Sequence, residues 1–479
     1  MSLTIVGLGP GHPDDITRRA WRALETASVV FLRTREHPCV PHLPVAAYTS
    51  FDEVYDSTAD FEQIYDTISA RVLEAALTAA CVYAVPGDPM VVEATVKRLL
   101  ARAPEQGITV EIINGVSFIE PVLAALKLDA NDGLQLFDAI SIAAMHHPPL
   151  NPDQPALLAQ VYSRALASDL KLTLMNQYAD EYEVTLVHGA GTDAFMVERV
   201  PLYAIDHSEH IRYLTALYVP PVGSYSSFEA FQEIIAHLRA PEGCPWDREQ
   251  THQSLRRYLL EETYEVLEAL DAEDAPALAE ELGDLLLQIV LHAQIATEDG
   301  EFRMTDILST VGRKMIRRHP HVWGETVVDG AGAVVRNWEA IKQIEKGSKQ
   351  VESLLDGVPL ELPALFRALR LTEKAAKPGF DWATADDVLA KVREELDEVL
   401  TANDDAHRME EMGDLLFVTA NWARKLNIDP ESALRAANAK FARRFQYVER
   451  AAAAQGKPLS AFDLAQMDAW WNEAKARGL

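Results

Sequence analysis

The chain has 479 residues, 48% hydrophobic, 24% charged and 8% aromatic, enough for sizeable buried cores and, at roughly 150 residues per domain, for about three domains. Its 73 acidic and 44 basic residues give a formal charge of −29, which repels phosphate backbones and anionic lipid and argues against nucleic-acid or membrane binding. No apolar run is long enough to cross a bilayer, the opening MSLTIVGLGPGH reads as a strand, and three cysteines without a CxxC pair give neither a disulfide framework nor a zinc site, so a reduced, cytoplasmic protein is expected.

Up to about residue 222, short β-like runs alternate with helical stretches: LTIVGLG (3–9), SVVFL (28–32), ACVYAV (80–85), TVEII (109–113), ISIAA (140–144), LKLTLM (170–175), EVTLV (183–187) and YLTALYV (213–219). Such alternation predicts α/β layering around a buried sheet. Gly7, Gly9 and Gly11 follow the first run as G-x-G-x-G, which departs from the dinucleotide fingerprint because residue 12 is His. His146 and His147 precede two prolines and read as a loop, and GAGTD (189–193) reads as a turn rather than a nucleophile elbow. PPVGSYSS (220–227) has the composition of a linker.

Beyond it, long stretches rich in Leu, Ala, Glu, Arg and Lys repeat apolar residues at i, i+3, i+4 and i+7, which predicts an all-α half. That half repeats itself in order. LLEETYEVLEAL (259–270) returns as VREELDEVLTAN (392–403), AEELGDLLLQIVLHA (279–293) as MEEMGDLLFVTANWA (409–423), and GRKMIRRHPHV (312–322) as NAKFARRFQYV (438–448). LLDGVPLELPAL (354–365) separates the two copies.

Each copy carries E-E-x-x-E and then E-x-x-D: Glu261, Glu262, Glu265, Glu281 and Asp284 in the first, Glu394, Glu395, Glu398, Glu411 and Asp414 in the second. Residues three and four apart share a helix face, so antiparallel packing of the two helices brings four or more carboxylates together. Like charges so placed repel, and burial adds a desolvation cost that a cation must offset. Hard oxygen donors without His or Cys suit Mg²⁺ or Mn²⁺. A solvated acidic face is the plain alternative, but recurrence of the pair at matching positions weighs against it. Met412, Leu415 and Leu416 are expected to form a buried stripe beside the acids, with Gly413 allowing close backbone approach. An all-carboxylate ion site suits phosphate chains, and the basic groups Lys314, Arg317 and Arg318, and Lys440, Arg443 and Arg444, are placed to clamp phosphoryl oxygens.

LLEETYEVLEAL, EELGDLLLQ, KMIRRHPHVWG, GFDW, EELDEV, EEMGDLLF, KFARRF and the terminal MDAWWNEAK together resemble the MazG family of nucleoside triphosphate pyrophosphohydrolases, over about residues 226–479. The resemblance implies Mg²⁺-dependent hydrolysis of NTPs or dNTPs to monophosphate and pyrophosphate, and a homodimer. It assigns Mg²⁺ to Glu395, Glu398, Glu411 and Asp414, with Glu262, Glu265, Glu281 and Asp284 as counterparts. It also assigns phosphate to Lys440, Arg443 and Arg444, nucleotide contact to Lys391, and base stacking to Trp471. Glu394 and Glu395 both remain candidates for the general base. The position of Lys391 is Tyr258 in the first copy, so the second module is expected to be the principal site.

In the front half, IVGLGPGHPDDIT, YAVPGDPMVVEATV and VEIINGVSFIEPVLAAL resemble the tetrapyrrole (corrin/porphyrin) methylase superfamily, a two-lobed α/β fold that uses S-adenosylmethionine. That resemblance points to Gly87 and Asp88 as cofactor-binding residues. Many relatives carry GGDP where this chain has Pro86, which puts methyl transfer in question. The expected organisation is a methylase-like domain over 1–222 and helical modules over 226–350 and 364–479. A methyltransferase with auxiliary nucleotide-binding modules is the rival reading.

Overall fold

The computed structural model describes residues 2–58, 60–346 and 353–479, so the end expected for the first module at 350 lies outside the described residues. The chain divides into two compact units at Ser309/Thr310.

The first unit opens with a five-stranded sheet of order β3-β2-β4-β1-β5, built from β1 (Ser2–Gly7), β2 (Val30–Leu32), β3 (Thr49–Ser50), β4 (Cys81–Val85) and β5 (Thr109–Ile113). Every pairing is parallel, with Ile5 opposite Tyr83 on one side and Ile112 on the other. Helices cover both faces, which is why β4 reads as an unbroken apolar run and is buried throughout. Leu3, Ile5, Tyr83 and Val85 turn to one core, while Val6, Leu8, Val82 and Ala84 turn to the other, the two-residue alternation of a strand.

A second sheet follows in the order β6-β7-β10-β8-β9: β6 (Gln135–Asp138), β7 (Ala156–Ala159), β8 (Glu183–His188), β9 (Met196–Pro201) and β10 (Thr215–Val219). It is mixed, β6 and β7 being parallel and the other pairs antiparallel. Two expected strands are helices here. ISIAA belongs to the Ala139–Ala143 helix, whose first turn is capped by the Asp138 side chain. LKLTLM ends the Arg164–Leu174 helix, where Ser163 is the N-cap and Leu166, Leu170 and Leu174 are buried at four-residue spacing. Short apolar runs do not distinguish strand from helix by periodicity, and here the caps decided.

PPVGSYSS is loop up to Ser227, which caps the Phe228–Arg239 helix, but it is tied down. The Asp153 carboxylate accepts hydrogen bonds from the Ser226 and Ser227 amides and the Ser227 hydroxyl. The rest of this unit is helical, with a core of Ile235, Leu255, Val290, Leu291, Ala293, Ile295 and Met304.

The second unit contains no strand among the described residues. Its main helices are Gly330–Lys346, Ala364–Ala376, Ala385–Thr401, Asp405–Lys425, Pro430–Ala454 and Leu464–Ala476. GFDW is a turn locked onto the end of the Asp405–Lys425 helix, where Asp381 pairs with Arg424 at 2.5 Å and Lys425 at 2.8 Å. Among the described residues no helix is long and apolar enough to cross a membrane.

Candidate functional site

Glu394, Glu395 and Glu398 lie on the Ala385–Thr401 helix, begun by a capping box between Thr384 and Asp387. Glu411 and Asp414 lie on the Asp405–Lys425 helix, capped by Asp404. The two helices pack along each other across a short turn. Glu395, Glu411 and Asp414 each offer a carboxylate oxygen within 4.8 Å of the others. Glu398 adjoins them, and burial together with the charges of Glu395 and Glu411 pushes its carboxyl above the usual range.

The first copy repeats this on the Arg256–Asp271 and Ala275–Asp299 helices. Oxygens of Glu262, Glu265 and Glu281 come within 4.8 Å of one another. Burial and the charges of Asp284 and Glu265 push Glu262 upward, and burial with Glu265 and Asp284 does the same to Glu281. In each copy three of the four expected carboxylates converge, and the fourth, Asp284 in the first and Glu398 in the second, acts on them electrostatically.

The surroundings of the two clusters differ. Lys391 places its ammonium 2.9 Å from Glu394 and 2.7 Å from Glu395, and these two acids hold its pKa above the ordinary lysine value. His407 Nε2 lies 3.0 Å from Glu411 Oε1. The pairing of His407 was not foreseen, although its i, i+4 spacing to Glu411 was there to be read. The matching residues in the first copy are Tyr258 and Ala277. Glu394 itself is well exposed, whereas Glu395 is 5% exposed and sits inside the cluster.

The apolar residues beside the second cluster do not form the expected buried stripe. Met412 is 41% and Leu416 53% exposed, and the helix turns Val418, Ala420 and Asn421 inward instead. Gly413 is not needed for a close approach either, since a Cβ there would meet nothing within 4 Å.

Arg317 and Arg318, near the end of the Met304–Arg318 helix, both pair with Glu345 at 2.5 Å, and Arg318 lies over the Trp338 ring. The hydrogen bond from Arg318, supported by Arg317, holds the Glu345 carboxyl down to about 2. Lys314 lies one turn before them on the same helix. Lys440, Arg443 and Arg444 share the Pro430–Ala454 helix. Lys440 and Arg443 are exposed, and among the described residues no hydrogen bond or ion pair joins any of the three to the acid cluster. Arg444 donates to the Leu479 carbonyl at 2.6 Å and stands over the Trp471 ring. Trp471 also packs on Phe441, with ring centroids 5.1 Å apart.

In the first unit, Gly87 and Asp88 follow β4. Gly87 bridges to Gly9 and takes a positive φ of 64°. Asp88 is 7% exposed, and its oxygens accept from the Met90 amide at 2.8 Å, the Asn114 side chain at 3.0 Å and the Gly115 amide at 3.2 Å. The carboxylate thus ties the β4 loop to the one after β5. Gly7, Gly87 and Gly115 crowd together there, and a Cβ on Gly7 would lie 2.4 Å from the Gly87 carbonyl oxygen.

Comparison with known proteins finds three family models along the chain. Residues 2–206 match the family model of tetrapyrrole (corrin/porphyrin) methylases, residues 250–323 that of the MazG nucleotide pyrophosphohydrolase domain, and residues 362–441 that of phosphoribosyl-ATP pyrophosphohydrolase. Each of the last two stretches contains one acid cluster. The chain is 41% identical over 483 residues to the uncharacterized protein YabN of Bacillus subtilis, covering 99% of this chain and 98% of that protein. Over 248 residues it is 46% identical to the nucleoside triphosphate pyrophosphohydrolase/pyrophosphatase MazG of Thermotoga maritima, covering 52% of this chain and 95% of the relative. Over 248 residues it is 47% identical to the nucleoside triphosphate pyrophosphohydrolase of Escherichia coli, covering 50% and 94%.

Proposed function

Because this chain belongs to the MazG family of nucleotide pyrophosphohydrolases, with a tetrapyrrole methylase-like domain joined in front, we propose that it hydrolyses nucleoside triphosphates, NTPs or dNTPs, to the monophosphate and pyrophosphate in a Mg²⁺-dependent reaction. The observation that carries this reading is the pair of carboxylate clusters, each with three oxygens within 4.8 Å. An all-oxygen, partly buried and mutually repelling donor set fits a hard divalent ion, Mg²⁺ or Mn²⁺. Glu395, Glu398, Glu411 and Asp414 would hold it in the second module, and Glu262, Glu265, Glu281 and Asp284 in the first. When bound, such an ion supplies positive charge to phosphoryl oxygens and lowers the pKa of a coordinated water.

The remaining work falls to side chains. Glu394 stands outside the cluster and open to solvent, which favours it over Glu395 as the group that takes the proton from the attacking water. Lys391, beside both acids, would neutralise phosphoryl charge brought to the cluster. Lys440 and Arg443 are exposed and suited to the oxygens of the leaving pyrophosphate. Arg444 and Trp471 pack on each other, so Trp471 can stack on a base only with the face that Phe441 and Arg444 leave open. Lys391 and His407 stand only in the second module, and on that ground it is the principal site.

The same reading divides the chain into a methylase-like domain over 1–222 and modules over 226–350 and 364–479. It places the protein in the cytoplasm as a nucleotide-pool housecleaning enzyme, and as a homodimer. Support for a dimer comes from the apolar side chains left open on the acid-bearing helices, Leu396, Leu400, Met409, Met412, Leu416 and Phe417. The rival methyltransferase reading is less well supported, because Asp88 is already engaged in holding two loops together. The test is pyrophosphate release from each common NTP and dNTP with Mg²⁺ or Mn²⁺, run beside calorimetric titration with S-adenosylmethionine. Release from at least one nucleotide is expected, and none from any would overturn the reading.

A further inference from the structure

The two copies carry equivalent carboxylates, of which Glu262, Glu265 and Glu281 converge in the first and Glu395, Glu411 and Asp414 in the second, and they differ in the groups paired with them. In the second, an ammonium stands 2.7 Å from Glu395 and an imidazole 3.0 Å from Glu411. In the first, Tyr258 and Ala277 occupy those positions. The strongest charges acting on Glu262 are those of Asp284, Glu265 and Glu261, and on Glu281 those of Glu265, Asp284, Glu280 and Glu268, all carboxylates.

We propose that the first cluster takes up a divalent cation by itself, whereas the second, with Lys391 and His407 already seated on two of its carboxylates, takes its cation together with the nucleotide. The proposal deepens the pyrophosphohydrolase reading and rests on it. A divalent ion entering the second cluster must displace the ammonium from Glu395 while that positive charge stays tethered one helical turn away, which opposes binding. A triphosphate chain changes the balance by offering its own oxygens to both the ion and the displaced Lys391. The first cluster has neither obstacle, and any cation relieves the repulsion among its acids. Ordered entry also makes the second module respond to nucleotide–metal complexes rather than to free metal.

The test is Mn²⁺ binding to the full chain, followed through the electron paramagnetic resonance signal of the free ion, so that turnover is not the readout. Without nucleotide, one class of sites is expected to be at least tenfold tighter than the other. Glu265→Gln should abolish the tight class and Glu398→Gln the weak one. A non-hydrolysable triphosphate with a methylene between the α and β phosphorus atoms should tighten the weak class at least tenfold and leave the other unchanged. Lys391→Met, with Lys391→Gln as a second variant, should tighten the weak class without nucleotide. Two classes of equal affinity, or Lys391 variants that leave the weak class where it was, would overturn the ordering and leave the pyrophosphohydrolase reading standing. No Mn²⁺ binding to either cluster, with or without nucleotide, would overturn the metal-dependent reading and this proposal with it.

Discussion

Glu395→Gln separates catalysis from folding more cleanly than any other single change. Glu395 is 5% exposed, shares the cluster with Glu411 and Asp414, and pairs with Lys391 at 2.7 Å. Glutamine keeps the shape and can still accept a hydrogen bond from Lys391, so packing is preserved. The Lys391 side chain is 32% exposed, which limits the loss from that pair to about 1 kcal/mol or less. Against this, one repulsive charge beside Glu398 disappears, so the metal-free melting temperature should stay level or rise. Function moves the other way. Unit charges about 4 Å apart interact by about 4 kcal/mol at an effective dielectric constant near 20. If only two-thirds of one such interaction is lost in the transition state, turnover falls at least about a hundredfold, since each decade costs about 1.4 kcal/mol. The assay is the initial rate of pyrophosphate release at saturating Mg²⁺, paired with thermal unfolding in EDTA. Glu262→Gln in the first module should cost less than about tenfold. Turnover for Glu395→Gln within threefold of the parent, a fall in melting temperature large enough to explain the loss, or equal losses from both variants would refute the reasoning.

Other consequences follow from the same geometry. Glu262, Glu281 and Glu398 have pKa values raised above the ordinary 4.5, so the folded protein holds their protons more tightly than the unfolded chain does. Stability should therefore fall as pH rises above about 4.5 in EDTA, and Mg²⁺ should flatten that slope; a melting temperature that climbs over this range in EDTA would contradict it. Glu345, Asp381 and Glu473 are shifted the other way, and their contribution is lost only as pH falls below their ordinary values toward the lowered ones, about 2 for Glu345. Gly7→Ala places a Cβ 2.4 Å from the Gly87 carbonyl and 2.6 Å from the Gly115 amide, backbone on both sides, and should cost about 1–3 kcal/mol in denaturant unfolding of the front half. Asp88→Ala leaves the Met90 and Gly115 amides without their acceptor and should cost about 1–3 kcal/mol in the same measurement, with or without S-adenosylmethionine; an unchanged transition would remove Asp88 from its anchoring role.

The carboxylate clusters were legible in the sequence because helical spacing dictates them. Once EExxE and ExxD lie on adjacent antiparallel helices, convergence of Glu395, Glu411 and Asp414 follows. Lys391 was legible for the same reason, three and four residues before its acids. What sequence spacing does not encode is contact between distant elements. Glu345 neutralises Arg317 and Arg318 from 27 or 28 residues away, and nothing local announces it. The family resemblance of the PGDP loop points to Asp88 as a cofactor ligand, while its contacts with Asn114 and Gly115, 26 and 27 residues further on, have no signature in its own loop. The Met412 to Leu416 stripe was misread because periodicity says which residues share a face, not whether this chain covers that face. ISIAA and LKLTLM failed through the ambiguity of short apolar runs, and the edge strand Met196–Pro201 was missed because Glu198 and Arg199 interrupt its apolar pattern.

The central claim is that paired acids in the helical half receive a divalent ion and a triphosphate and break the bond between the α and β phosphorus atoms. Phosphorus-31 nuclear magnetic resonance of a dNTP incubated with the full chain tests it in one experiment. The account predicts that monophosphate and pyrophosphate appear together in Mg²⁺ and that both signals stop growing when EDTA is added. Diphosphate and orthophosphate as the products, or undiminished turnover in EDTA, would contradict it.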